Sequence, residues 1–94
     1  MTVPLSGEQI EAALAGLPGW SLAGDKIVKS YQFKDFREAI SFIMRLAFEA
    51  EALNHHPELF NVYNRVEVRL NTHDAGGKVT AKDIVLAGKI EELT

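Results

Sequence analysis

The chain has 94 residues, of which 47% are hydrophobic and 24% charged, and a formal net charge of −3 at pH 7. That length fits a single domain over residues 1–94, able to bury roughly two-thirds of the surface its unfolded form exposes, and the composition is that of a folded protein, not a disordered one. The absence of cysteine excludes disulfides, thiolate chemistry and Cys-type zinc sites, and the singly scattered Lys and Arg residues form no basic stripe, so direct nucleic-acid binding is not expected.

The opening segment, MTVPLSGEQ, has neither the basic flank nor the apolar run of a secretory signal. The strongest apolar stretch, residues 39–44, is far too short to span a bilayer, so a cytoplasmic protein that engages no membrane is expected. Ser6 with Gln9 forms a capping box, Leu5 and Ile10 sit at staple positions, and Ile10, Ala13, Leu14 and Leu17 follow helical spacing until Gly16, Pro18 and Gly19 stop them. Residues 20–33 read as a hairpin turning at 23–26. Its second arm sets Ile27, Lys29, Tyr31 and Phe33 on one face and Val28, Ser30 and Gln32 on the other. Neither face is purely apolar, so periodicity does not choose the one that meets the core.

Asp35 with Glu38 starts a second, longer helix in which Phe36, Ile40, Ile43, Ala47 and Ala50 form one row with Leu46 and Leu53 beside it. It ends near His55, because Pro57 pushes His56 out of the helical region, and Asn54 is a plausible cap. Residues 60–63 read as a short strand, Asn64-Arg65 as a turn and residues 66–72 as a longer strand with Val66, Val68 and Leu70 on one side. On the other side stand Glu67, Arg69, Asn71 and, if the strand reaches it, His73. After a glycine-rich loop, Thr80 with Asp83 caps a final helix. The order α-β-β-α-β-β-α predicts an α+β fold: a four-stranded antiparallel sheet with three helices packed on one face.

The three histidines carry the chemistry. Histidine titrates near neutrality and serves as proton donor or acceptor. Glu51 lies four residues before His55, on the same helix face if the helix extends that far, where its carboxylate would orient the imidazole. On residue types alone two readings stand: His55 and His56 are polar caps of a helix end and His73 a surface residue beside a turn, or the three form an acid-base site. Asp83 is accounted for as the third-position partner of the Thr80 cap, and a second role, such as orienting a histidine, stays open. Most of the aromatic residues, Trp20, Phe33, Phe36, Phe42, Phe48, Phe60 and Tyr63, are expected in the core. A metal site made of His55, His56, His73 and a carboxylate is disfavoured, because adjacent histidines closing a helix rarely aim at one ion and no H-x-x-x-H spacing exists.

Glu51-x-x-x-His55-His56-Pro57, followed by Tyr63, His73 and Asp83, resembles the signature of pterin-4a-carbinolamine dehydratases, and NHHPELFNVYNRVEVRLNTHDAGG, YQFKDFREAISFI and KDIVLAGKIEEL resemble that family's central segment, second strand with long-helix start, and last helix. Two departures are visible: Leu59 stands where the family often has Trp, and segment 77–80 is one residue longer than in many relatives. The resemblance implies a dehydratase that removes water from a 4a-hydroxytetrahydropterin, with no metal and no other cofactor. It implies His55 and His73 as the acid-base pair and His56 as the residue that binds and orients the pterin. Asn54 and the segment Asn71, Thr72, His73 and Asp74 would line the pterin, and Glu51 and Asp83 would support, Glu51 by tuning His55. It also implies a homo-oligomer, dimer or tetramer. The alternative is a non-enzymatic dimerisation or transcriptional cofactor module of the same fold, since relatives in animals combine both roles.

Overall fold

A computed structural model describes residues 3–94; Met1 and Thr2, the first residues of the segment read as free of a secretory signal, lie outside the described residues. Helix α1 (Gly7–Leu14) begins at the expected capping box, the Ser6 hydroxyl accepting from the Gln9 N–H and the Gln9 side chain from the Ser6 N–H. Strands β1 (Ser21–Ala23) and β2 (Lys26–Gln32) follow, then α2 (Phe36–Ala52), β3 (Glu58–Val62), β4 (Arg65–Leu70) and α3 (Ala81–Glu91), with a short 3-10 turn at His73–Ala75. The strands form one antiparallel sheet in the order β1-β2-β4-β3. The expected α+β arrangement is the one found.

Pairing settles which face of β2 is covered. Ile27, Lys29 and Tyr31 stand opposite Leu70, Val68 and Val66 of β4, so all share the core face. Ile27, Val66 and Val68 are wholly buried against Phe42 and Leu46 of α2 and Leu86 and Ile90 of α3. Lys29 is the misfit on that face, and it reaches to the rim: its ammonium donates to both Glu91 carboxylate oxygens, at 2.9 and 3.0 Å, and to the Pro18 carbonyl at 2.7 Å. The Tyr31 hydroxyl also donates to Glu91. Burial, followed by the neighbouring Glu91, pushes the Tyr31 phenol far above its ordinary value. At Glu91 burial disfavours the charge, but hydrogen bonds from Tyr31 and Lys29 outweigh it and hold the carboxyl below its ordinary value.

Four local expectations are corrected. The buried stripe of α2 is Ala39, Phe42, Leu46 and Ala50, not the row running through Phe36, Ile40 and Ala47. Phe36, Ile40, Met44 and Phe48 instead make an outward apolar stripe at i, i+4 spacing. Phe60 and Tyr63 are exposed as well, so four of the aromatics assigned to the core lie outside it. The second hairpin starts earlier: β3 opens at Glu58, its loop is Tyr63-Asn64, and Val62 pairs with Arg65. Tyr63 takes a positive φ of 49°, and the Asn64 amide donates to the Phe33 carbonyl at 3.0 Å, fixing this loop on the first hairpin. Finally, β4 stops at Leu70, so His73 sits on the 3-10 turn and not on a strand. Thr72 still makes a single bridge to Lys78, which Gly76 and Gly77 allow by turning the chain at φ 71° and 77°. No described helix is long and apolar enough to cross a membrane.

Candidate active site

The site begins where α2 ends. Leu53 is the C-cap, and Asn54 turns left-handed at φ 50°. The Asn54 N–H donates to the Glu51 carbonyl and the His55 N–H to the Ala50 carbonyl, each at 3.0 Å, the two bonds of a Schellman cap. This reversal separates the two imidazoles. His55 turns inward toward α3 and is buried, while His56, next to Pro57, stays at the surface.

His55 Nε2 lies 2.5 Å from Oδ1 of Asp83, a wholly buried carboxylate at the third position of α3. The other oxygen of Asp83 accepts the Thr80 N–H at 2.8 Å, which completes the expected capping box, and the Thr72 hydroxyl at 2.9 Å. Asp83 is therefore a helix cap and a histidine partner at once. His56 Nε2 lies 2.8 Å from Oε1 of Glu51. This corrects the expected pairing: Glu51 holds His56 and not His55. The i, i+4 relation requires helix through both residues, and the helix stops at Ala52.

His73 approaches from the opposite side on its 3-10 turn, with Asp74 beside it. A cleft of about 360 Å³ opens between the two segments. Asn54, His55 and His56 form one wall and Asn71, Thr72, His73 and Asp74 the other, so each residue expected to meet the ligand borders the cleft, Thr72 while nearly buried. The Asn71 amide also donates to the Gly77 carbonyl at 3.1 Å and so braces the loop that carries His73. Two lining residues were not expected. Glu58 opens β3 and bonds Lys26 at 2.6 Å; Lys82 precedes Asp83 and adds a cation at the mouth. Both are exposed charges with no distinctive spacing, so nothing in the sequence separates them from an ordinary solvated surface.

The arrangement offers three imidazoles around a space large enough for a flat bicyclic ring, two of them oriented by carboxylates. With Nε2 of His55 bound to Asp83, its Nδ1 is the ring nitrogen free of a protein partner. Among the described residues no three His, Asp or Glu side chains are grouped to hold a metal ion.

Residues 3–93 match the family model described as pterin 4 alpha carbinolamine dehydratase. A protein of Opitutus terrae is 56% identical over 100% of this chain and 97% of its own length, and one of Solibacter usitatus is 48% identical over 99% and 97%. Both carry the name "Putative pterin-4-alpha-carbinolamine dehydratase". A crystal structure described as a transcriptional coactivator/pterin dehydratase from Brucella melitensis superposes with a TM-score of 0.91, at 41% identity, over 96% of this chain and 97% of that one.

Proposed function

Because the chain belongs to the pterin 4 alpha carbinolamine dehydratase family, we propose that it removes water from a 4a-hydroxytetrahydropterin to give the quinonoid dihydropterin. Hydroxide is a poor leaving group and takes up a proton as the C4a–O bond breaks. The adjacent N5–H gives up its proton as the C4a=N5 double bond forms. One proton is delivered and one removed, so an acid and a base placed across the C4a–N5 bond complete the reaction with no redox partner. In this reading His55 and His73 are that pair, and His56 binds and orients the ring. Asn54 and the segment from Asn71 to Asp74 line its edges, Glu51 positions His56, and Asp83 positions His55. The convergence of the three imidazoles on one cleft is the observation that carries the reading.

The test is turnover of synthetic carbinolamine. Each placed acid-base group contributes on the order of 10²–10⁴-fold. Replacing His55 and His73 together by Ala is expected to return the rate to that of buffer while the far-ultraviolet circular dichroism stays native. Wild-type-like turnover by the double variant ends the proposal.

A second reading has its own support, the outward apolar stripe of Phe36, Ile40, Met44 and Phe48, which is exposed among the described residues. We place there, and at the open edge strands β1 and β3, the contacts of a dimer or tetramer, and the same surfaces would serve a transcriptional cofactor module. Absence of any carbinolamine turnover together with stable self-association would favour the module; a strict monomer in sedimentation at micromolar concentration removes the oligomer.

A further inference from the structure

We propose that Thr72 is a positioning residue that, with Thr80, fixes which nitrogen of His55 carries its proton; the inference deepens the dehydratase reading and rests on it for its kinetic arm. Thr72, Thr80 and Asp83 are 2%, 0% and 0% exposed, so no solvent completes their hydrogen bonds. The Thr72 and Thr80 hydroxyl oxygens are 2.7 Å apart, and each hydroxyl has one proton to give. The Thr72 proton goes to Asp83 Oδ2 at 2.9 Å. Thr72 therefore has none left for Thr80. Thr80 Oγ1 already accepts the Lys82 N–H at 3.2 Å, and among the described residues its one hydrogen-bond acceptor is Thr72 Oγ1. Every direction in the chain is then set: Thr80 donates to Thr72 and Thr72 to Asp83.

The same counting fixes the carboxylate. Oδ2 receives two donors, the Thr72 hydroxyl and the Thr80 N–H, which leaves Oδ1 turned to His55. Two donors on Oδ2 leave no room there for a proton, which keeps the group a carboxylate, and a carboxylate oxygen only accepts, so the nitrogen facing Oδ1 is the one that bears the proton. His55 consequently presents Nε2–H to Asp83 and keeps Nδ1 for the cleft. Ser and Val test the two properties of Thr72 separately. Serine keeps the hydroxyl and loses the methyl; valine keeps the shape, removes the donor and leaves the Thr80 hydroxyl buried with no acceptor.

The deciding measurement is a long-range ¹H–¹⁵N spectrum of the imidazoles, read beside carbinolamine kinetics. In wild type, neutral His55 is expected as the Nε2–H tautomer with a slowly exchanging proton. Thr72→Val is expected to mix the tautomers and to lower kcat about tenfold with little change in KM, the effect of one lost hydrogen bond to a charged group. Thr72→Ser is expected to restore both. A wild-type spectrum showing Nδ1–H at His55 overturns the proposal without any variant, as does a folded Thr72→Val with unaltered spectrum and kcat. Should Thr72→Val not fold, the wild-type and Thr72→Ser spectra decide. A wild type with no turnover defeats the dehydratase reading alone, because the spectra still report on the positioning.

Discussion

His55 and His56 are consecutive, and each meets a carboxylate through Nε2, at 2.5 and 2.8 Å. Their surroundings are opposite. The side chains of His55 and Asp83 are 9% and 0% exposed, and those of His56 and Glu51 are 60% and 78%. A buried pair needs further donors on its carboxylate, and Thr72 and Thr80 supply them to Oδ2 of Asp83. An exposed pair competes with water and holds little. Contact distance alone would rank the two as near equals; the number of other donors on the carboxylate separates them.

Removing the carboxylates one at a time is the severest way to break this contrast. Asp83→Ala strands the His55 ring, the Thr72 hydroxyl and the Thr80 N–H in the interior and is expected to cost about 3–5 kcal/mol in urea unfolding. A loss below about 1 kcal/mol would place the pair in the same class as its exposed neighbour.

The Lys29–Glu91–Tyr31 cluster sharpens the contrast from between the extremes, being half-buried, and pH reads it. Glu91 has a lowered folded value, so the unfolded chain binds the proton first as pH falls. Its contribution is whole above the ordinary 4.5 and declines as acid protonates it in the fold. Tyr31 has a raised folded value, so its contribution is whole below the ordinary 10.0 and declines above it, where only the unfolded chain ionises. Denaturant midpoints are expected to fall at both ends, and Glu91→Gln to flatten the acid limb. An acid limb unchanged in that variant would assign it to other carboxylates.

The smallest effect belongs to the surface. Glu51→Gln is expected to change stability by less than about 1 kcal/mol and, in the proposed reading where His56 binds the pterin, to raise KM and leave kcat unchanged. A large fall in kcat with KM unchanged would transfer to Glu51 the weight placed on Asp83.

How legible this was in the sequence varies by residue. The caps at Ser6, Asp35 and Thr80 were readable because a cap is a local hydrogen bond between residues three apart. The β4 face was readable from strict alternation. The buried face of α2 was not, because that helix carries two apolar stripes. The larger side chains Phe36, Met44 and Phe48 lie on the outward one, while two members of the inward stripe are only Ala39 and Ala50. Periodicity measures spacing and is blind to which stripe meets the sheet. The cleft residues from Asn54 to Asp74 were found through their motif. Glu51 was given the wrong histidine because the helix ends between them and Asn54 inverts the backbone, a single-residue event that no i, i+4 rule contains. The first task of Asp83 follows from its spacing to Thr80, whereas the second stands in the sequence only as an open role: capping already accounts for the residue, and nothing local singles out the histidine it meets 28 positions away.

That double duty of Asp83 has a consequence for how the protein is made. His55 and Asp83 are 28 residues apart, and α3 comes last of the described elements in chain order. At about 5–20 residues per second, a ribosome delivers the aspartate about one to six seconds after the histidine. During that interval β3 and β4 are added and the sheet can close on α2, yet the imidazole has no Asp83 carboxylate to hold it. Docking the final helix and giving His55 its carboxylate are therefore a single event.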